Sequence, residues 1–176
     1  MPSQPEALLA SALRILRCAG RALLKQPRHL AWIAPLGWAS MIWLLSARQK
    51  PFPGGGHLGV HLLTNMAHAG VFGILVLLLV PLAPRQGGWV KLDRRVFWSL
   101  ALPTLTYAVL DELHQVFVEG RQATAFDVLT DATGIFCTLL VVFYLSRADA
   151  SGRGLVLRLA GGLGLCVLSA ALSTLA

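Results

Sequence analysis

Charge is what this sequence has least of. Asp, Glu, Lys and Arg make up 13% of its residues, about half of the roughly 25% usual in a soluble globular domain. Hydrophobic residues are 56%, which excludes an ordinary water-soluble domain and predicts an all-α polytopic membrane protein. Cysteine is also scarce. Cys18, Cys137 and Cys166 all lie in apolar stretches without metal-type spacing, so neither a disulfide framework nor a zinc site is expected. No cofactor is expected either. The sequence has no HExxH pair, no Gly-rich phosphate loop and no Ser-His-Asp order. It also lacks an internal repeat and a linker long enough to mark a second soluble domain. The formal net charge of +7 would suggest nucleic acid in a soluble protein. In a membrane protein it reads as basic residues held in cytoplasmic loops, so no nucleic-acid partner is expected.

What is present is a series of long apolar runs. A span needs about 20 mostly apolar residues, and five segments approach or meet that length: 30–47, 66–83, 97–118, 127–145 and 155–175. The expected architecture is a helical bundle of about five transmembrane helices preceded by an N-terminal amphipathic helix. Residues 1–29 form the basic surface segment, 30–146 a four-helix core and 147–176 an additional C-terminal helix. In the first segment Arg14, Arg21 and Lys25 share a face with Arg17 alongside, opposite Leu9, Ala12, Leu16, Ala19 and Leu23. That pattern predicts a helix lying on an anionic membrane surface and ending before Pro27. Its plainer alternative is a basic flank of the first span. Gly54-Gly55-Gly56, between Pro51 and Pro53, predicts a flexible first loop.

The basic residues set the orientation. Arg14, Arg17, Arg21, Lys25 and Arg28 precede the first span. Arg85, Lys91, Arg94 and Arg95 fill the second loop, and Arg147, Arg153 and Arg158 flank the fourth. Only Arg48, Lys50 and Arg121 fall in the alternate loops. The positive-inside rule therefore puts the N-terminus in the cytoplasm. This orientation gathers one polar cluster at the extracytoplasmic ends of the spans: His68, Asp111, Glu112, Gln115, Arg121, Asp127 and Asp131, with Ser46 and Asn65 at the same level. Ionisable groups near a bilayer core cost about 2.5–3.5 kcal/mol each on insertion scales, so a concentration of them marks a functional site. Asp111 and Gln115 share a helix face with Thr104 and Ala108, and Asp127, Asp131, Gly134 and Thr138 form a second stripe. Both stripes should face the bundle interior. Pro103 is a candidate kink below the acidic pair.

At these residues the chain resembles the VanZ-like family of bacterial membrane proteins. The resemblance rests on Asp111-Glu112-Leu113-His114-Gln115, then Gly120-Arg121 and the aspartate Asp127 opening the next helix, then Gly134. His68 resembles the family's histidine in the second span, and Ser46 its serine at the end of the first. The match covers roughly residues 30–146. Asn65 stands where the family often has a lysine, Glu119 where it has a proline, and Asp131 where it has an asparagine. The cluster is thus more acidic than the family pattern. The resemblance implies a role in the bacterial cytoplasmic membrane and cell envelope, and the family name derives from low-level resistance to teicoplanin.

Three functions suit the cluster. The first is a binding site for an anionic lipid-linked or cell-envelope molecule among the membrane lipids. Arg121 engages a phosphate or carboxylate there, and Arg121 is expected to pair with Asp127 or Glu112 until the ligand displaces them. The second is a hydrolase or transferase on a lipid phosphate or sugar, with His68 as base or nucleophile and Glu112 or Asp111 carrying a proton. The third is a small transporter or lipid-moving protein. Against all three stands the plain alternative that the polar groups only tie helices together, at about 0.6 kcal/mol per contact.

Overall fold

The computed structural model describes residues 4–48, 58–91, 93–119, 121 and 124–175. The Pro51–Gly56 loop lies outside them. Among the described residues, six α-helices account for nearly all of the regular structure: α1 (Gln4–Leu24), α2 (Ile33–Ser46), α3 (Leu58–Leu79), α4 (Arg94–Val116), α5 (Ala125–Ser146) and α6 (Gly152–Leu175). One two-stranded hairpin, β1 (Arg85–Gln86) and β2 (Trp89–Val90), joins α3 to α4. Gly87 and Gly88 turn it with φ of 59° and 76°, a conformation open to glycine and strained for most other residues.

Local chemistry sets the helix ends. The Asp93 carboxylate accepts the Val96 N–H at 2.9 Å and caps α4. Thr124 and Asp127 form a reciprocal capping box at the start of α5. Pro81 has no N–H to offer, and α3 passes there into a 3-10 turn, Val80–Leu82. α4 runs unbroken through Pro103.

The five helices after α1 alternate in direction. The C-terminal ends of α2, α4 and α6 and the N-terminal ends of α3 and α5 share one end of the bundle, through Ser46–Asp111, Asn65–Thr174 and Ser173–Asp127 contacts. α5 lies centrally against α3, α4 and α6. Its approach to α3 depends on small residues. A Cβ on Gly134 would stand 2.0 Å from the Ala69 carbonyl oxygen, and one on Gly73 2.8 Å from Thr138 Oγ1. Close backbone approach of this kind is the usual packing of helices in lipid. Phe72, Val76, Ala101, Ala108, Ile135 and Leu139 form the fully enclosed core around the contact.

Among the described residues, three helices are apolar enough by length and composition to cross a membrane: Leu58–Leu82, Ala125–Ser146 and Gly152–Leu175. This is fewer than the five expected. The helical segment Leu30–Ser46 is too short. α4 has 23 residues, long enough, but it carries Arg94 and Arg95 at one end and Asp111 and Glu112 at the other. α3 also starts earlier than the apolar run beginning at 66, because His61, Thr64 and Asn65 interrupt hydropathy without interrupting the helix.

α1 packs on the bundle through the side that carries Leu13, Arg17 and Leu24. Leu13 and Leu24 are buried, and Arg17 turns toward the bundle, donating to the Leu145 carbonyl at 3.1 Å and to that of Arg147. α1 therefore docks beside the α5–α6 connection. Leu8, Ile15, Leu16 and Leu23 stay exposed.

Candidate functional site

The end of the bundle shared by α2, α4 and α6 collects the ionisable residues. Asp111, Glu112, Gln115, Asp127 and Asp131 are all buried, Asp131 completely. The stripe Thr104, Ala108, Asp111 and Gln115 faces inward, as helical spacing requires. His68 from α3 points its Nδ1 between two carboxylates, 3.3 Å from Asp131 Oδ1 on α5 and 3.5 Å from Glu112 Oε1 on α4. His114, next in the motif, instead stacks on Trp43 with ring centroids 4.0 Å apart.

Two of the acids are fully occupied. Asp111 accepts from Ser46 Oγ at 2.5 Å and from Gln115 Nε2 at 3.0 Å, one bond to each oxygen. Asp127 accepts from the Thr124 N–H at 3.0 Å and its hydroxyl at 2.9 Å on Oδ2, and from Ser173 on Oδ1. Asp127, expected in the ligand site, thus serves the start of α5 and its junction with α6. The Thr124-x-x-Asp127 spacing is a readable capping signal. Ser173 carried no such signal, because only packing brings α6 to Asp127.

The other two acids are not fully occupied. Glu112 Oε1 accepts from Gln115 Nε2 at 3.1 Å, but Glu112 Oε2 and both oxygens of Asp131 are buried without a hydrogen-bond partner. Native structures pair nearly all such atoms, so each exception needs a reason. His68, Glu112 and Asp131 each present a ligand-type atom, and these atoms lie within 4.8 Å of one another. No sequence spacing announced this group, since each residue comes from a different helix.

Arg121 forms no ion pair among the described residues, contrary to its expected pairing with Asp127 or Glu112. It donates from Nη1 to Gln115 Oε1 at 2.8 Å, from Nε to the Arg48 carbonyl at 3.1 Å and from Nη2 to the Leu45 carbonyl at 3.0 Å. The guanidinium thus clamps the end of α2 to α4. The carboxylates expected to meet it are engaged elsewhere or lie deeper in the bundle.

Further along α5, beside the Gly134 and Thr138 part of the stripe that carries Asp131, runs an apolar groove of about 830 Å³. It extends from Met66 and Ala69, close to His68 in sequence, past Gly73, Gly134 and Gly162 to Leu16 and Leu23 of α1. Arg158 sits at the α1 end, its guanidinium 3.7 Å from the centre of the Tyr144 ring.

Long apolar helices enclosing buried ionisable groups define a helical membrane protein. Within that class the chain belongs to the VanZ/LLP1 family, whose family model matches residues 21–146. The match begins inside α1, earlier than the resemblance read from the motifs, and ends with α5. No curated protein and no solved structure matches the chain.

Proposed function

We propose that the protein is a multi-pass component of the bacterial cytoplasmic membrane that binds the anionic head of a lipid-linked or other cell-envelope molecule at its polar cluster. Arg121 is the observation that carries this reading. Its half-buried guanidinium is fixed by three neutral acceptors and shares its charge with no carboxylate among the described residues. A cation held in place without a counterion favours an anion, and its planar fork suits phosphate or carboxylate. Gln115 links it to Glu112 and so to His68. The apolar groove beside α5 supports an amphiphilic partner by offering a lateral path for a hydrocarbon tail.

The cluster faces the extracytoplasmic side in this reading. Arg17, Arg28 and Arg85 meet carbonyls at the opposite end of the bundle, where the positive-inside rule favours the cytoplasm. α1 then rests against the inner leaflet with Leu8, Ile15 and Leu16 toward lipid. The family connection extends to glycopeptide resistance as one physiological setting for such a ligand. A second reading, a hydrolase or transferase on a lipid phosphate or sugar, draws on His68 beside two carboxylates, an arrangement able to carry a proton.

Mass spectrometry of lipids that co-purify with the protein tests the binding role. Anionic envelope lipids should be enriched with the wild type and depleted with Arg121→Ala. Arg121→Lys should also lose enrichment, since an ammonium cannot reproduce the fork. A variant that accumulates normally with an unchanged lipid profile rejects the role. Turnover of a labelled lipid phosphate by the wild type would favour the enzyme instead.

A further inference from the structure

The geometry points to a divalent metal site formed by His68, Glu112 and Asp131, of the zinc class. It shares the polar cluster with the lipid-binding reading and is tested by metal content, not by lipid. The group comprises one imidazole nitrogen and two carboxylates from α3, α4 and α5, and its ligand-type atoms lie within 4.8 Å of one another. The two acids are enclosed, at 4% exposure for Glu112 and 0% for Asp131. Three of their four oxygens lack a hydrogen-bond partner. Two buried carboxylates facing a single imidazole leave negative charge uncompensated even when His68 is protonated, and a divalent cation removes that deficit.

Two of the ligand separations match metal ligation. His68 Nδ1 lies 3.3 Å from Asp131 Oδ1 and 3.5 Å from Glu112 Oε1. Charge-assisted N–H···O bonds are shorter, about 2.7–2.9 Å. Ligands at about 2.0–2.2 Å from a tetrahedral zinc ion stand about 3.3–3.6 Å apart along the tetrahedron's edges. The contacts to both carboxylates fall in that range. An imidazole with two carboxylates also suits zinc or manganese better than magnesium or calcium, which favour oxygen alone, and better than copper(I), which favours sulfur.

The neighbouring bonds fit a supporting shell. Gln115 Nε2 holds Glu112, and Arg121 Nη1 holds Gln115 by its oxygen. Groups that orient ligands in this way commonly stand behind metal sites. Three protein ligands leave a fourth position for water or an anionic oxygen.

The test uses the full tag-free chain in detergent, stripped with a chelator and then loaded with Zn²⁺ or Co²⁺. The wild type should retain one equivalent of Zn²⁺ through dialysis, measured by inductively coupled plasma mass spectrometry. Zn²⁺ should raise its melting temperature, and Co²⁺ should give the visible absorption of a tetrahedral N/O site. Asp131→Asn and His68→Gln should bind at least about 10–100-fold more weakly, while eluting as the wild type does. Exposed His61 gives the control His61→Gln, which should bind normally. If Asp131→Asn fails to accumulate, His68→Gln decides alone. A wild type without stoichiometric Zn²⁺ or a melting shift overturns the site, and so does undiminished binding by the variants that fold.

Discussion

Asp111 and Asp127 differ from Glu112 and Asp131 in one respect that matters. All four carboxylates are buried at the same end of the bundle. The first two have a donor on each oxygen, whereas the second two keep three oxygens without a hydrogen bond, with only the His68 imidazole beside Asp131 Oδ1. Hydroxyls and amides on adjoining elements can neutralise the cost of enclosing an acid by hydrogen bonding, and they do so for Asp111 and Asp127. No such donors reach Asp131. The difference separates carboxylates that join helices from carboxylates left open to chemistry, although both kinds occur in one acidic motif.

Substitutions can break or sharpen this contrast. The largest effect is expected from Gly134→Ala, which removes the α3–α5 contact on which both halves depend. The new Cβ would meet the Ala69 carbonyl at 2.0 Å, and backbone on both sides limits relief. Alanine in place of a mid-helix glycine ordinarily stabilises by roughly 0.5–1 kcal/mol, so the sign is diagnostic. Monodisperse protein on size exclusion should fall sharply. A normal yield would show that the two helices can separate without cost.

Asp111→Ala should come next. It removes the charged acceptor of the Ser46 hydroxyl and the Gln115 amide, which keep only the Ile42 and Trp43 carbonyls and Glu112. The loss, at about 1.5–3 kcal/mol for each bond to a charged group, should lower the melting temperature in detergent. Asp131→Asn in chelator-treated protein should move the other way, by a smaller amount, because it removes one of two buried carboxylates that face a single imidazole and leaves His68 with Glu112. A fall as large as that of Asp111→Ala would erase the distinction between the two pairs.

The smallest effect belongs to Asp93, an exposed acid far from the cluster. The Val96 N–H bonded to its carboxylate holds its pKa below the usual carboxylate value. Its stabilising contribution is therefore complete above that usual value and is lost as pH falls through the lowered one. Asp93→Asn should flatten only the acid limb of a melting-temperature–pH curve. A change near neutral pH would show that the cap does more than hold the start of α4.

Helical periodicity explains what could be read from the sequence. Thr104, Ala108, Asp111 and Gln115 repeat at the spacing of one helix face, and that face is buried. The ends of α2, α3, α4 and α5 meet where alternating helices must bring Ser46, His68, Asp111 and Asp131 together. Periodicity says nothing about which of several nearby donors an acid will choose. Arg121 therefore went to Gln115 and two carbonyls, and Asp127 to its own cap and Ser173. Three described helices meet the length and composition of a span, fewer than the five apolar runs, because α2 is short and α4 carries Arg94 and Arg95 at one end and Asp111 and Glu112 near the other. In α1, the side bearing Leu13 and Leu24 was not the most continuous apolar stripe, since Arg17 interrupts it.

The bond from Ser173 to Asp127 also has a consequence in time. These residues are separated by 46 positions, which a ribosome adding about 5–20 residues per second covers in roughly 2–9 s. During synthesis, the start of α5 reaches the membrane before its last hydroxyl partner exists. The acidic corner is consequently assembled in stages, capped first by Thr124 and sealed only after α6 emerges.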